Sequence, residues 1–161
     1  QTLLAPQEYD LKDFIMPVDE DVRGSFAESV QTLQGLVFIL DDNIELAKQQ
    51  FQSVLEKTNN SMSKTISQLY LLQIALIEGD NKKAEEYASI RGVKSFLSIK
   101  TADMQVIQAW YQFKVRKDVV QTHKAMKIAR HKMNSSRMLR DEKIYYQNWL
   151  AELEKELTEG V

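Results

Sequence analysis

The stretch ALIEGDNKKAEEYA, Ala75 to Ala88, decides how this chain is read. Helix-forming residues lie on both sides of a Gly79-Asp80-Asn81 break, so the segment is either one exposed turn of a helical bundle or the hinge of a repeated helix–turn–helix unit. Two other turns favour the repeated unit when set beside it, with another helical-hairpin solenoid or a plain bundle as the alternatives. FILDDNIELA (Phe38–Ala47), ALIEGDNKKA (Ala75–Ala84) and FKVRKDVVQT (Phe113–Thr122) each pass from an apolar or aromatic residue into a polar turn. Each then reaches a small residue nine positions after the first: Ala47, Ala84 and Thr122. An aromatic residue or Met follows about one helical turn later, as Phe51, Tyr87 and Met126. The offsets between the three turns are 37 and 38 residues. A small side chain at the start of the second helix lets two antiparallel helices approach closely, and the bulky residue beyond it fills the space that follows. One such pair cannot bury its apolar face alone, so neighbouring pairs stack.

The remaining sequence is helical in character and no stretch alternates like a strand. VDEDVRGSFAESVQTLQGLVFIL opens with acidic residues suited to the positive end of a helix dipole. Its apolar residues recur at three and four (Phe26, Val30, Leu33, Leu36/Val37, Leu40). ISQLYLLQIALIEGD is apolar nearly all round, which predicts a helix contacted on more than one side. Ile90–Thr101 contains Gly92 and reads as a loop with a helical turn. The fold class expected is all-α. The expected organisation is an irregular N-terminal arm over 1–18, carrying Pro6 and Pro17, and one helical domain over 19–161. Its repeats fall at about 28–60, 62–92 and 102–134. A final helix at about 137–158, with Ile144, Tyr145, Leu150, Leu153 and Leu157 as its stripe, caps the array through a strongly acidic end.

These residues resemble a tetratricopeptide (TPR-like) array over about Glu28 to Met133, most specifically at Gly79-Asp80 with Ala84, and at Gly35 with Phe38. The chain departs from that family's pattern at Gln31, Gln68 and Val106, where a large aromatic is preferred, and at Leu72 and Trp110, where a small residue is preferred. No consensus proline closes a repeat. The resemblance implies a right-handed stack of about three antiparallel hairpins. It also implies a ligand groove on one face of the first helices, here Thr32, Leu36, Ile39, Leu69, Gln73, Leu76, Ile107, Tyr111 and Lys114. An apolar groove of this kind receives a hydrophobic peptide or is filled in cis, for which the Asp13–Pro17 arm, DFIMP, is a candidate.

Composition excludes several classes. At 161 residues, 43% hydrophobic and 27% charged, the chain can bury one core. There is no cysteine, hence no disulfide, thiol nucleophile or zinc–thiolate site. No run approaches the roughly 18 apolar residues of a membrane helix. There is no phosphate-cradling glycine loop and no HExxH motif. His123 and His131 stand eight residues, or about 12 Å, apart along one helix, too far to share a metal. The expectation is a non-catalytic protein without cofactor. The chain begins at Gln1 without Met, which fits a processed chain or an excised domain. The expected setting is cytoplasmic or, alternatively, as a soluble domain of a larger or membrane-anchored parent.

Charge is unevenly spread. Residues 1–60 hold 4 Lys and Arg against 11 Asp and Glu, a net of −7, and residues 61–161 hold 17 against 12, a net of +5. The densest basic segment is Lys114–Lys143, with ten Lys and Arg against Asp118, Asp141 and Glu142. With Val119, Thr122, Met126, Ala129 and Met133 turned inward, His123, Lys124, Lys127, Arg130 and His131 form an outer basic face, extended by Arg137. The simplest reading is a solvated face that balances the acidic third. The functional readings are an acidic protein partner, an anionic membrane surface or nucleic acid. A protein or peptide partner, in a groove or on this face, is the leading expectation, and a homo-oligomer is a further one.

Overall fold

A computed structural model describes the backbone over residues 20–159 and the side chains from Phe26 to Glu159. The arm expected over 1–18 lies outside the described residues. The chain is all-helical, and no strand occurs among the described residues. The order is α1 (Glu20–Leu40), α2 (Ile44–Lys57), α3 (Ser61–Glu78), α4 (Asn81–Ala88), α5 (Arg91–Leu97), α6 (Ala102–Tyr111), α7 (Val119–Met133) and α8 (Arg140–Glu159). A π-helical turn, Gln112–Arg116, runs on from α6. None of these helices is long and apolar enough to cross a membrane.

Short turns reverse the chain between α1 and α2, α3 and α4, and α6 and α7, and in each case the two helices pack on one another. All three turns hold one residue in the left-handed region: Asp42 (φ 64°), Gly79 (φ 76°) and Lys117 (φ 55°). Their spacing reproduces the offsets of 37 and 38 residues seen in the sequence. In the first two turns, helix-end carbonyls are satisfied by reversed bonds, Asn43 N–H donating to Phe38 O (2.7 Å) and Asp80 N–H to Ala75 O (2.9 Å). In the third, Asp118 N–H reaches one residue further back, to Gln112 O (2.9 Å), so the π turn absorbs the extra residue of the longer offset. Asp80 and Asp118 then cap the next helices by accepting from Lys83 N–H and Gln121 N–H. The small residues after the turns, Ala47, Ala84 and Thr122, are fully buried. Close approach is tightest at Gly35 of α1, where an added Cβ would stand 2.5 Å from the Phe51 ring of α2.

α3 is buried from two sides. Leu71 and Ile74 join Ile39, Ala47 and Phe51 in a smaller core with α1 and α2. Leu69, Leu72 and Leu76 belong to the larger core with α4 through α8. The Ile90–Thr101 segment is more ordered than expected: it forms α5, whose Val93 and Leu97 are buried. Gly92 permits this, since a Cβ there would lie 2.8 Å from Thr65 Oγ1 of α3. Gln105 of α6 donates to Leu97 O and Ile99 O, satisfying carbonyls that the short helix leaves open.

Two stripe assignments are corrected. On α1, Gly35 and Ile39 face inward, whereas Phe26, Leu33 and Val37 are exposed. On α8 the buried residues are Tyr146, Trp149, Leu150 and Leu153, and Ile144 is exposed. Leu150 and Leu153 are buried as expected and Tyr145 and Leu157 pack at the core's edge, so the correction is that Tyr146 and Trp149 take the interior at the start of α8 in place of Ile144. The position of α8 also differs from a cap on the last pair alone. It packs on α6 and α7 and extends back to α1.

The turns make a direct prediction about stability. Lys117→Gly and Asp42→Gly relieve left-handed backbone that L-residues disfavour, and each should stabilise by up to about 1 kcal/mol. Gly79→Ala should destabilise by about 1 kcal/mol. Urea unfolding followed by circular dichroism reads all three, and a stabilising Gly79→Ala would contradict the turn geometry.

Candidate functional site

The face that the resemblance marks as a groove is interior. Ile39, Leu69, Gln73, Leu76, Ile107 and Tyr111 are buried, and Leu36 and Lys114 are half-buried. α8 closes this side. Tyr146, wholly buried, donates its hydroxyl to Gln73 Oε1 across 3.0 Å. Trp149 stacks on Trp110 at 5.4 Å between ring centres, and Trp110 Nε1–H donates to Trp149 O. At the far end Lys114 Nζ lies 2.8 Å from Glu156 Oε1 and 5.5 Å from the centre of the Phe113 ring.

A magnitude decides whether such a helix can give way to a ligand. Burying a large apolar side chain contributes about 1.5–3 kcal/mol, so Tyr146, Trp149, Leu150 and Leu153 together hold α8 by something on the order of 8 kcal/mol. α8 is therefore part of the core, and Ile39, Leu69, Gln73, Leu76, Ile107 and Tyr111 of the expected groove are buried, whereas Thr32, Leu36 and Lys114 are half-buried. The DFIMP arm lies outside the described residues.

The closure carries its own electrostatics. Burial pushes the Tyr145 hydroxyl up to about 12 and also raises those of Tyr70 and Tyr146. Tyr111 is raised by burial and by its 3.1 Å bond to Glu85. Glu142, in the first turn of α8, is raised by burial and by the nearby charge of Asp103. Two buried polar groups are left in need of a partner among the described residues, Ser67 Oγ and Gln73 Nε2. The Gln73 Oε1 is satisfied by Tyr146.

The predicted basic face lies outside. His123, Lys124, Lys127, Arg130, His131 and Arg137 are all exposed. Thr122, Ala125, Met126, Ala129 and Met133 form the buried side of α7. Val119, expected inward, is 54% exposed together with Val120 at 74%. Arg130 differs from the rest of the face: its guanidinium lies 2.6 Å from Glu154 Oε2 of α8. His123, Lys124, Lys127 and His131 make no ion pair among the described residues. The shallow clefts lie elsewhere. One of about 350 Å³ is lined by Ser29, Thr32, Asn60, Met62, Ser63 and Ile66, and one of about 250 Å³ lies beside Met62, Phe96 and Ile99. No group of three or more metal-ligating side chains converges among the described residues.

The residues that sequence reading missed are Tyr146 and Trp149. Their spacing with Leu150, Leu153 and Leu157, at three, one, three and four, was the available signal. Compared with protein-family models, curated proteins and solved structures, the chain matches none of them.

Two measurements check the closure. Tyr146→Phe leaves the Gln73 amide without its remaining partner and should destabilise by about 1–3 kcal/mol. Adding Gln73→Leu removes the buried amide as well, so the double variant should lose about 1 kcal/mol less than the sum of the singles. Strict additivity would deny the bond a role. The second is alkaline unfolding. Unfolded tyrosines ionise near 10, so above that pH the folded state holds more protons than the unfolded one. Stability then falls as pH rises from 10 towards 12. Tyrosinate absorbance should rise together with loss of helicity. Independent titration near 10 with helicity intact would contradict the burial of these hydroxyls.

Proposed function

We propose that this chain is a non-catalytic protein-interaction module, a stack of three TPR-like hairpins, which docks an acidic segment of a partner protein on the outward side of α7. The observation that carries this reading is the state of the basic residues. His123, Lys124, Lys127 and His131 share one exposed side of a 15-residue helix and make no ion pair among the described residues. Two neighbouring cations, Lys114 and Arg130, are already engaged by Glu156 and Glu154. The fold itself neutralises part of the basic segment and leaves the outer row for other charges.

The hairpin reading is supported by the left-handed corner shared by the three turns and by the burial of Ala47, Ala84 and Thr122. The inner face is not the docking surface in this reading, since α8 occupies it. An acidic protein segment suits the outer row better than nucleic acid, because Trp110 and Tyr111 are buried and offer no platform for stacked bases.

The test uses the full chain and a fluorescent Glu-rich peptide. Lys124→Glu with Lys127→Glu should weaken binding about tenfold with helicity unchanged, given up to about 1 kcal/mol per exposed pair. Binding should also fall as salt rises. Equal affinity of the variant and the unaltered chain would remove the proposal, and so would tighter retention of duplex DNA than of the peptide.

A further inference from the structure

Where the first turns of α3 meet α5, an apolar cleft of about 250 Å³ opens to solvent. Met62 of α3 (56% exposed) and Ile99 just past α5 (42%) form its lips. Phe96, half-buried, lines it from within and packs against the larger core. Met62 also lines the neighbouring cleft beside α1, so the two hollows share one wall. The fold holds this shape by itself. Gly92 brings α5 against Thr65 of α3, where an added Cβ would stand 2.8 Å away. Buried Gln105 donates to Ile99 O (2.8 Å), which fixes Ile99 beyond the helix end. Asn60 caps α3 by accepting from Ser63 N–H (2.9 Å). A site formed in advance loses less freedom on binding. Its volume lies below the roughly 300–1,000 Å³ of small-molecule pockets, so it suits one or two inserted side chains and not a whole ligand.

The charge around this cleft has one sign. Its walls come from two segments, 57–77 and 87–102, which hold Lys57, Lys64, Arg91, Lys94 and Lys100 and no Asp or Glu. Lys64, Arg91, Lys94 and Lys100 each adjoin a lining residue in the chain and are exposed. None of the four makes an ion pair among the described residues. Asp103, the next acid along, turns its Oδ1 to its own helix start, accepting from Thr101 Oγ1–H and Met104 N–H. Apolar lips flanked by unpaired cations complement a segment that carries apolar anchors among Asp and Glu. Met62 suits the role, since a flexible thioether side chain repacks around differently shaped anchors. The concavity favours a peptide over a bilayer, because a flat surface would rest on the lips and leave Phe96 untouched. We propose that the cleft between Met62, Phe96 and Ile99 docks an acidic amphipathic segment of a partner protein. The segment inserts one or two large apolar side chains and sets its carboxylates against Lys64, Arg91 and Lys100. This site shares no residue with the basic row of α7 and, unlike it, demands an apolar anchor.

The test uses the full chain and two fluorescent peptides of equal Glu content. One carries leucines at a helical spacing of three and four, and the other has serines in their place. The leucine peptide should bind at least about tenfold more tightly than the serine peptide. Met62→Ser with Ile99→Ser changes two exposed positions, so helicity should be retained. That pair should weaken the leucine peptide about tenfold and bring the two peptides level. Lys64→Glu with Lys100→Glu should cost a similar factor, whereas Lys124→Glu with Lys127→Glu should leave the leucine peptide within about twofold. Equal binding of the two peptides to the unaltered chain overturns the proposal, and so does indifference to the Met62 and Ile99 changes. If only the α7 pair weakens binding, the acidic docking on α7 stands and the cleft proposal falls. Tighter binding to vesicles of phosphatidylcholine and phosphatidylserine than to the leucine peptide overturns it in favour of a bilayer. A dimer in sedimentation velocity that Met62→Ser with Ile99→Ser dissociates overturns it in favour of a second copy.

Discussion

The constraint on which the rest of the structure depends is the burial of α3. Leu71 through Leu76 are six consecutive buried residues, so over this stretch the helix has no side left for water. α1 and α2 cover Leu71 and Ile74, and the larger core takes Leu69, Leu72 and Leu76. That leaves Gln73, a polar side chain with no access to solvent, and Tyr146 meets it from α8. A buried amide without any partner costs about as much as a typical protein loses in a damaging mutation. The last helix is thus tied to the middle of the chain by a chemical need as well as by apolar contact. In a stack where each pair touches only its neighbours, stability is a sum of local terms. Here α8 bridges α1, α3, α6 and α7, so the ends of the molecule share one cooperative core.

The same helix sorts the charges. Its C-terminal glutamates hold Lys114 and Arg130, one against the aromatic cluster and one at the edge of the basic face. Partly exposed pairs of this kind contribute little to stability. Each neutralises one cation of the basic segment, while His123, Lys124, Lys127 and His131 make no ion pair among the described residues.

What could be read from the sequence divides along a physical line. Corners were legible because their chemistry is local. Gly79 supplies the left-handed residue, Asp80 and Asp118 supply caps, and Ala47, Ala84 and Thr122 mark close approach within about one helical turn. The basic row of α7 was legible for the same reason, apart from Val119 in the exposed first turn. Helix direction was not. The period on α1 defines a stripe but cannot say whether it faces the molecule or away from it, and Gly35 against Phe51 was the better guide. Exposure of the candidate groove was illegible too. Gln73 and Tyr146 are 73 residues apart, and nothing near Gln73 announces that a tyrosine arrives to cover it. The offset of 38 that blurred the repeat has a local cause in the π turn at Gln112–Arg116.

The place of α8 has a consequence for how the molecule is made. Synthesis proceeds from the N-terminus, so α8 leaves the ribosome after α1 through α7. Until it arrives, α1, α3 and α6 can assemble, but Leu69, Gln73, Ile107 and Trp110 must wait with one side open to water. The nascent chain therefore passes through a stage with a broad sticky surface that the finished protein never displays, and the interval before Tyr146 and Trp149 emerge is when it is most exposed to aggregation and to capture by chaperones.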